Sequence, residues 1–236
     1  MKDALTFKDG DVGRLVNRQI ILFNARLKAQ REGKINGHLY SYRIITIEPD
    51  SGSLTKEIAN TLAELIRWHV FDKEIVEHIA QNAHVKEEIV REMDEKSRNL
   101  VHEEIGRFLK LLMKEDSFGE FEYHQALLKT LVSLESKGEV ILVGHGCAFA
   151  FDDPSRLRIR ITASPEIRIE RLCKRLNEPA DKVREQILKR DQKAKELIQL
   201  HFGRNRDDLS SYDLVLNTDN LPVTKIVDAI LATMRC

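Results

Sequence analysis

From residue 43 onward, short β-branched and aliphatic runs alternate with amphipathic segments of helical length, and this alternation restricts the fold more than any other feature of the chain. RIITI (43–47), EVILV (139–143), LRIRIT (157–162) and YDLVLN (212–217) read as strands, with WHVF (68–71) as a further short one. Helical spacing runs over 54–67, 72–83, 85–112, 121–137, from Pro165, over 180–200 and over 223–234. Asp72 can cap the second of these helices, and Gly138 stands where a helix-ending glycine belongs. Strands alternating with helices predict an α/β fold, a parallel sheet with helices on both faces. Ligands of such sheets bind beyond the carboxyl ends of the strands, which selects the loops at 48–53, 144–148 and after Thr162.

Residues 1–42 read as an appendage. VGRLVNRQIILFNARLKAQ (12–30) has amphipathic helical spacing and is followed by a polar, glycine-containing linker. The domain proper is then 43–236, with no internal repeat.

The 38 basic and 38 acidic side chains cancel, so no global attraction to nucleic acid or membrane is expected. Residues 156–206, however, carry 15 Lys/Arg against 7 Asp/Glu. That excess suits either an anionic ligand or a set of solvated helix faces. Nucleic-acid binding is disfavoured, because this stretch lacks an aromatic-rich sheet, an RNP-like run and a zinc framework. Three dispersed cysteines without CxxC exclude a disulfide framework and structural zinc. No apolar run approaches the roughly 18 residues that span a bilayer, and MKDALTFKDGD is too charged for a secretory signal, so the expected compartment is the cytoplasm.

The most informative loop joins RIITI to the following helix through EPDSGS. A strand, a glycine-containing turn and a helix N-terminus make a minimal phosphate cradle, with N–H groups and the helix dipole directed at the anion. Gly52 can take positive φ, Ser53 is the expected N-cap, and Lys56 lies in the first helical turn. The loop does not match GxxxxGK[ST], and plain turn chemistry would also explain it.

ITIEPDSGSLTKEIANTLAE resembles the opening of the cytidylate kinase-like family, typically ISRE-GSGG-REIA-LAE. VFDKEIVEHIAQ is similar to the next helix of that family, EVILVGHG to its VIVGRG, and LRIRITASPEIRIERLCKRL to its strand and arginine helix. HFGRNRDDLSSYDLVLNTDNLPVTKIVDAI resembles its ending. These motifs occur in family order across residues 44–231, and the resemblance implies a P-loop nucleoside monophosphate kinase fold with a lid at about 176–206.

By that resemblance, Ser51, Gly52, Ser53, Thr55 and Lys56 face the phosphates of ATP, and either the Thr55 hydroxyl serves magnesium or Lys56 supplies the charge. Asp72, Gly144 and His145 fall on the acceptor side, although Asp72 equally suits a cap. Arg168, Arg171 and Arg175 can share a helix face, for phosphate contact or for pairing with Glu166 and Glu170. Arg190, Lys193, Lys195, Arg204 and Arg206 are either lid donors or exposed surface charges, and Asp191 either holds Arg190 or simply sits in a helix. Four departures stand out: Leu54 and Thr55 replace glycines, His145 replaces an arginine, and Ala194 and Leu197 remove polar lid partners. No aspartate follows VILV, which leaves Glu48 or Asp50 to substitute as a strand-end carboxylate.

Two functions follow as expectations. One is ATP- and magnesium-dependent phosphoryl transfer to a CMP- or dCMP-like acceptor. The other is a catalytically weakened relative that binds nucleotide as a sensor or scaffold, with the N-terminal helix docking on a partner protein or a second copy.

Overall fold

A computed structural model of the chain describes residues 40–72, 125–132, 134, 138–150 and 154–235. The N-terminal extension and its proposed docking helix, the helices expected over 72–83 and 85–112, and the start of the helix at 121–137 lie outside the described residues.

Five strands form one all-parallel sheet: β1 (Ile44–Pro49), β2 (His69–Phe71), β3 (Val140–Val143), β4 (Arg156–Thr162) and β5 (Leu214–Asn217), in the order β2-β3-β1-β4-β5. The helices are α1 (Thr55–Ile66), α2 (Pro165–Leu176), α3 (Ala180–Phe202) and α4 (Val223–Met234), and a short 3₁₀ turn spans Cys147–Phe149. All five expected strands and the α/β class are present, with ends shifted by one or two residues.

Residues Ile44 to Glu48 of β1 are buried at every position, which requires cover on both faces of the sheet. On one face, Ile45, Ile47, Ile141, Leu157, Ile159 and Ile161 pack with Ile58 and Leu62 of α1 and with Ile226 and Ile230 of α4. Their period-two spacing in the strands and three-to-four spacing in the helices make this the main core.

β4 alternates more sharply. Leu157, Ile159 and Ile161 enter that core, whereas Arg156, Arg158, Arg160 and Thr162 occupy the other face. Arg156 and Arg160 are nevertheless buried. In-register pairing sets Arg160 beside Glu48, so the pleat delivers a guanidinium to the carboxyl end of β1.

α2 and α3 join through a smaller apolar seam of Ile169, Leu172, Val183 and Ile187. α3 lies where the lid is expected, with only Val183, Ile187, Ile198 and His201 buried among its 23 residues. Its C-terminal end meets the Gly144–Gly146 turn: a Cβ on Gly146 would stand 2.7 Å from Phe202 and 2.8 Å from Ile198.

Candidate functional site

β1 ends at Pro49 and α1 begins at Thr55, so the phosphate-loop residues occupy the carboxyl edge of the central strand. Gly52 has φ +87°, and an added Cβ would lie 3.0 Å from the Arg168 carbonyl and 3.2 Å from Leu172. Backbone conformation and close approach therefore both demand glycine there. Leu54 also adopts left-handed backbone, φ 59°, at a cost of roughly 1–2 kcal/mol for a residue with a Cβ. Its side chain packs against the main core, which offsets that strain.

Leu54 occupies the N-cap position of α1, correcting the expectation for Ser53. The Ser53 hydroxyl instead donates to the Asp50 carbonyl at 2.8 Å and lies 2.9 Å from Thr55 Oγ1. With no capping oxygen on Leu54, the first turn of α1 keeps its amide groups toward the loop mouth. Ser53 and Thr55 are buried, Ser51 and Gly52 are half-buried, and Lys56 is exposed one position into the helix.

Around this loop, three arginines meet three carboxylates. Arg160 donates to Asp50 Oδ1 at 2.6 Å and to the Glu48 carbonyl at 3.1 Å. Thr162 donates to Asp50 Oδ2 at 2.5 Å. Arg206 Nε donates to Glu48 Oε1 at 3.1 Å, while its fork also reaches the Pro49 carbonyl and lies 3.4 Å from Asp50 Oδ1. The second oxygen of Glu48 accepts from Gly146 N at 3.2 Å. Arg168 Nε donates to the Ser51 carbonyl at 2.8 Å; its other nitrogens engage Asp191 and lie 3.8 Å from Asp50 Oδ2.

Burial and charge compete at each carboxylate. Burial pushes Glu48 above its ordinary value of 4.5, against the pull of Arg206 and Arg160. Burial also acts upward on Asp50, but Arg160, the Thr162 hydrogen bond, Arg206 and Arg168 together outweigh it and leave Asp50 below 3.8. As a set, the six side chains are electrically balanced.

The other expected site residues are more dispersed. Arg171 turns away from the loop and donates to the Thr218 hydroxyl at 2.9 Å and the Thr218 carbonyl at 2.5 Å. Arg175 is exposed, and Glu170 pairs with Lys174 rather than with these arginines. Arg190, Lys193 and Arg204 are exposed along α3 and just beyond it, and Lys195 pairs with Asp207 at 2.7 Å. Gly144 and His145 are buried in the turn after β3, and Asp72 closes the described part of the segment after β2.

Arg160 and Thr162 join the site without having been among the residues expected there. The signal was present: R-x-R-x-R-x-T in a strand places all four residues on one face. Sequence adjacency pairs Asp191 with Arg190, whereas the packing of α2 on α3 joins it to Arg168.

Residues 44–220 match the family described as the cytidylate kinase-like family. A cytidylate kinase of Sulfurisphaera tokodaii is 31% identical over 141 residues, 58% of this chain and 77% of the relative. A cytidylate kinase of Staphylothermus marinus is 35% identical over 94 residues, 40% of this chain and 53% of the relative, so the match spans about half of that protein. Among solved structures, an uncharacterized protein from Eubacterium ventriosum superposes with a TM-score of 0.61 at 18% identity, covering 80% of this chain and 96% of the other, a likeness of fold alone. The parallel sheet, the loop after its central strand and a match over most of the length agree: this is a P-loop fold of the nucleotide-kinase type, and the chain belongs to the cytidylate kinase-like family.

Proposed function

We propose that the protein transfers a phosphoryl group from ATP to a nucleoside monophosphate, with a CMP- or dCMP-like acceptor. The observation that carries this reading is the delivery of Arg168 from α2 to the loop after β1, its Nε 2.8 Å from the Ser51 carbonyl. A guanidinium beside a helix-opening loop supplies the positioning and charge stabilisation that phosphoryl transfer needs. The named cytidylate kinases support the choice of acceptor.

The loop chemistry fits a phosphate-bound magnesium ion. Thr55 and Ser53 bring two hydroxyl oxygens together at the helix start, and magnesium usually takes only one or two protein oxygens, keeping waters and phosphates as its other ligands. Asp50 is a poorer candidate, because Arg160 and Thr162 engage its two oxygens. When bound, magnesium would offset the charge of the phosphates. Lys56, exposed in the first turn of α1, would add a point charge at the loop mouth.

A second reading, nucleotide binding with weak or no transfer, is favoured by the pairing of the arginines with the chain's own carboxylates. Labelled ATP with magnesium, offered with a panel of nucleoside monophosphates, separates the two. Transfer to CMP or dCMP, abolished in Lys56→Ala and Arg168→Ala, is expected. Folded protein that binds nucleotide but labels no acceptor would favour the second reading.

A further inference from the structure

We propose that Asp191 is a carboxylate latch on the α3 lid. It holds Arg168 in the contact seen here, and yields that guanidinium to the phosphate group of an incoming nucleotide as the helix shifts away. The nature of the ligand rests on the nucleotide-kinase reading above.

The three carboxylates of the cluster differ in their freedom to leave. Glu48 terminates the buried part of β1 and is tied to the Gly146 amide as well as to Arg206. Asp50 lies in the β1–α1 loop and is joined to Arg160 and Thr162 of β4. Releasing either one disturbs the carboxyl edge of the sheet. Asp191 belongs to an outer helix, its side chain retains 18% exposure, and its described bond in this cluster is to Arg168.

The middle of the helix has less apolar anchoring than its two ends. Val183, Ile187, Asp191, Ala194 and Ile198 recur at intervals of four, four, three and four residues, a single stripe along α3. Val183 and Ile187 seat the first half of that stripe on α2, and Ile198 lies against the Gly146 turn. Asp191 interrupts the apolar stripe between those contacts, so this stretch is held by a charge pair rather than by buried hydrocarbon. Shallowly packed helices held in this way open locally at low cost.

Arg168 is the complementary half. Its Nε is fixed to Ser51 of the phosphate loop, and the rest of the fork reaches Asp191 and Asp50. A phosphate taking the nitrogen now on Asp191 gains a charge-assisted hydrogen bond, and the displaced carboxylate then faces like charge. Phosphate binding and the Arg168–Asp191 contact therefore compete for the same nitrogen, and the contact lowers apparent affinity by reducing the binding-competent population.

Asp191→Asn tests this without changing side-chain size, and Asp181→Asn, exposed on the same helix, is the control. Hydrogen exchange of the α3 amides and calorimetric titrations with CMP, ATP–magnesium and inorganic phosphate would be measured on both variants and on the parent. Asp191→Asn is expected to speed exchange over residues 187–198 and to tighten binding of the phosphate probes about fivefold, with Asp181→Asn unchanged in both. Unaltered exchange in Asp191→Asn, weaker binding by it, or no binding of any probe by parent and variant alike overturns the latch. Tighter binding without transfer upholds the latch and sinks the kinase reading; transfer with unaltered exchange in Asp191→Asn does the reverse.

Discussion

Arg206 and Glu48 lie 158 positions apart in the chain, yet Arg206 Nε donates to Glu48 Oε1 at 3.1 Å with both side chains almost wholly buried. The bond fastens the segment after α3 to the end of the central strand. It also brings that segment to the Gly146 turn, because Glu48 accepts the Gly146 amide through its other oxygen.

Each partner keeps some compensation when the other is removed, Arg206 from Asp50 at 3.4 Å and Glu48 from the Gly146 amide. Glu48→Ala or Arg206→Ala is expected to cost about 1–3 kcal/mol of folding stability. Replacing both, as Glu48→Leu with Arg206→Met, should cost less than the sum of the single changes. Urea unfolding of the singles and the double checks this, and strict additivity would argue against a coupled pair.

The two buried carboxylates should give opposite pH dependences. Asp50 is held below its ordinary 3.8, so its stabilisation is complete above that value and is lost as pH falls through the folded-state value. Glu48 is held above 4.5, so folding favours its protonated form and stability declines as pH rises from 4.5 toward the folded-state value. Denaturant midpoints measured from about pH 3 to 7 should show Asp50→Asn losing part of the acid-side fall. Glu48→Gln should lose the decline above 4.5. Parent-like curves for both variants would contradict these assignments.

Leu54→Gly separates backbone strain from core packing. Glycine relieves the left-handed conformation but forfeits the contacts of a partly buried leucine. These effects oppose each other, so the net change in stability should stay within about 1 kcal/mol, against about 2–5 kcal/mol for Leu62→Ala in the same core. Thermal unfolding decides the point.

Much of the fold was legible because its signals are local. Ile45, Ile47, Ile159 and Ile161 announce buried strands by their spacing alone, and Pro165 announces the start of α2. The phosphate loop was legible in outline through Gly52. The charge partners were not. Asp50 meets Arg160 across 110 residues, and Asp191 meets Arg168 only because two helices pack. No periodicity encodes such pairings, since each depends on strand register or interhelical contact. Ser53 misled for a related reason: its hydroxyl bonds back to Asp50, leaving the cap position to a leucine whose strained backbone leaves no mark in composition.

Arg171 and Arg175 share α2 but not a role. Arg171 spends two hydrogen bonds on Thr218, beyond β5, whereas Arg175 is exposed. Arg171→Ala should lower stability by about 1.5–3 kcal/mol, and Arg175→Ala should remain within about 0.5 kcal/mol. Chemical denaturation of the pair is sufficient, and equal losses would contradict the geometry.

The Gly144–His145–Gly146 turn has positive φ at three successive residues, 79°, 58° and 64°. For descent with modification, that makes it a narrow gate. Glycine can be exchanged at 146 only if Phe202 and Ile198 also move, so a single-codon change there arrives with its compensation missing. Position 145 is more permissive, because histidine, asparagine and aspartate enter this backbone region more readily than β-branched residues. A change at 145 can therefore keep the path of the chain, whereas a change at 146 forces its neighbours to move.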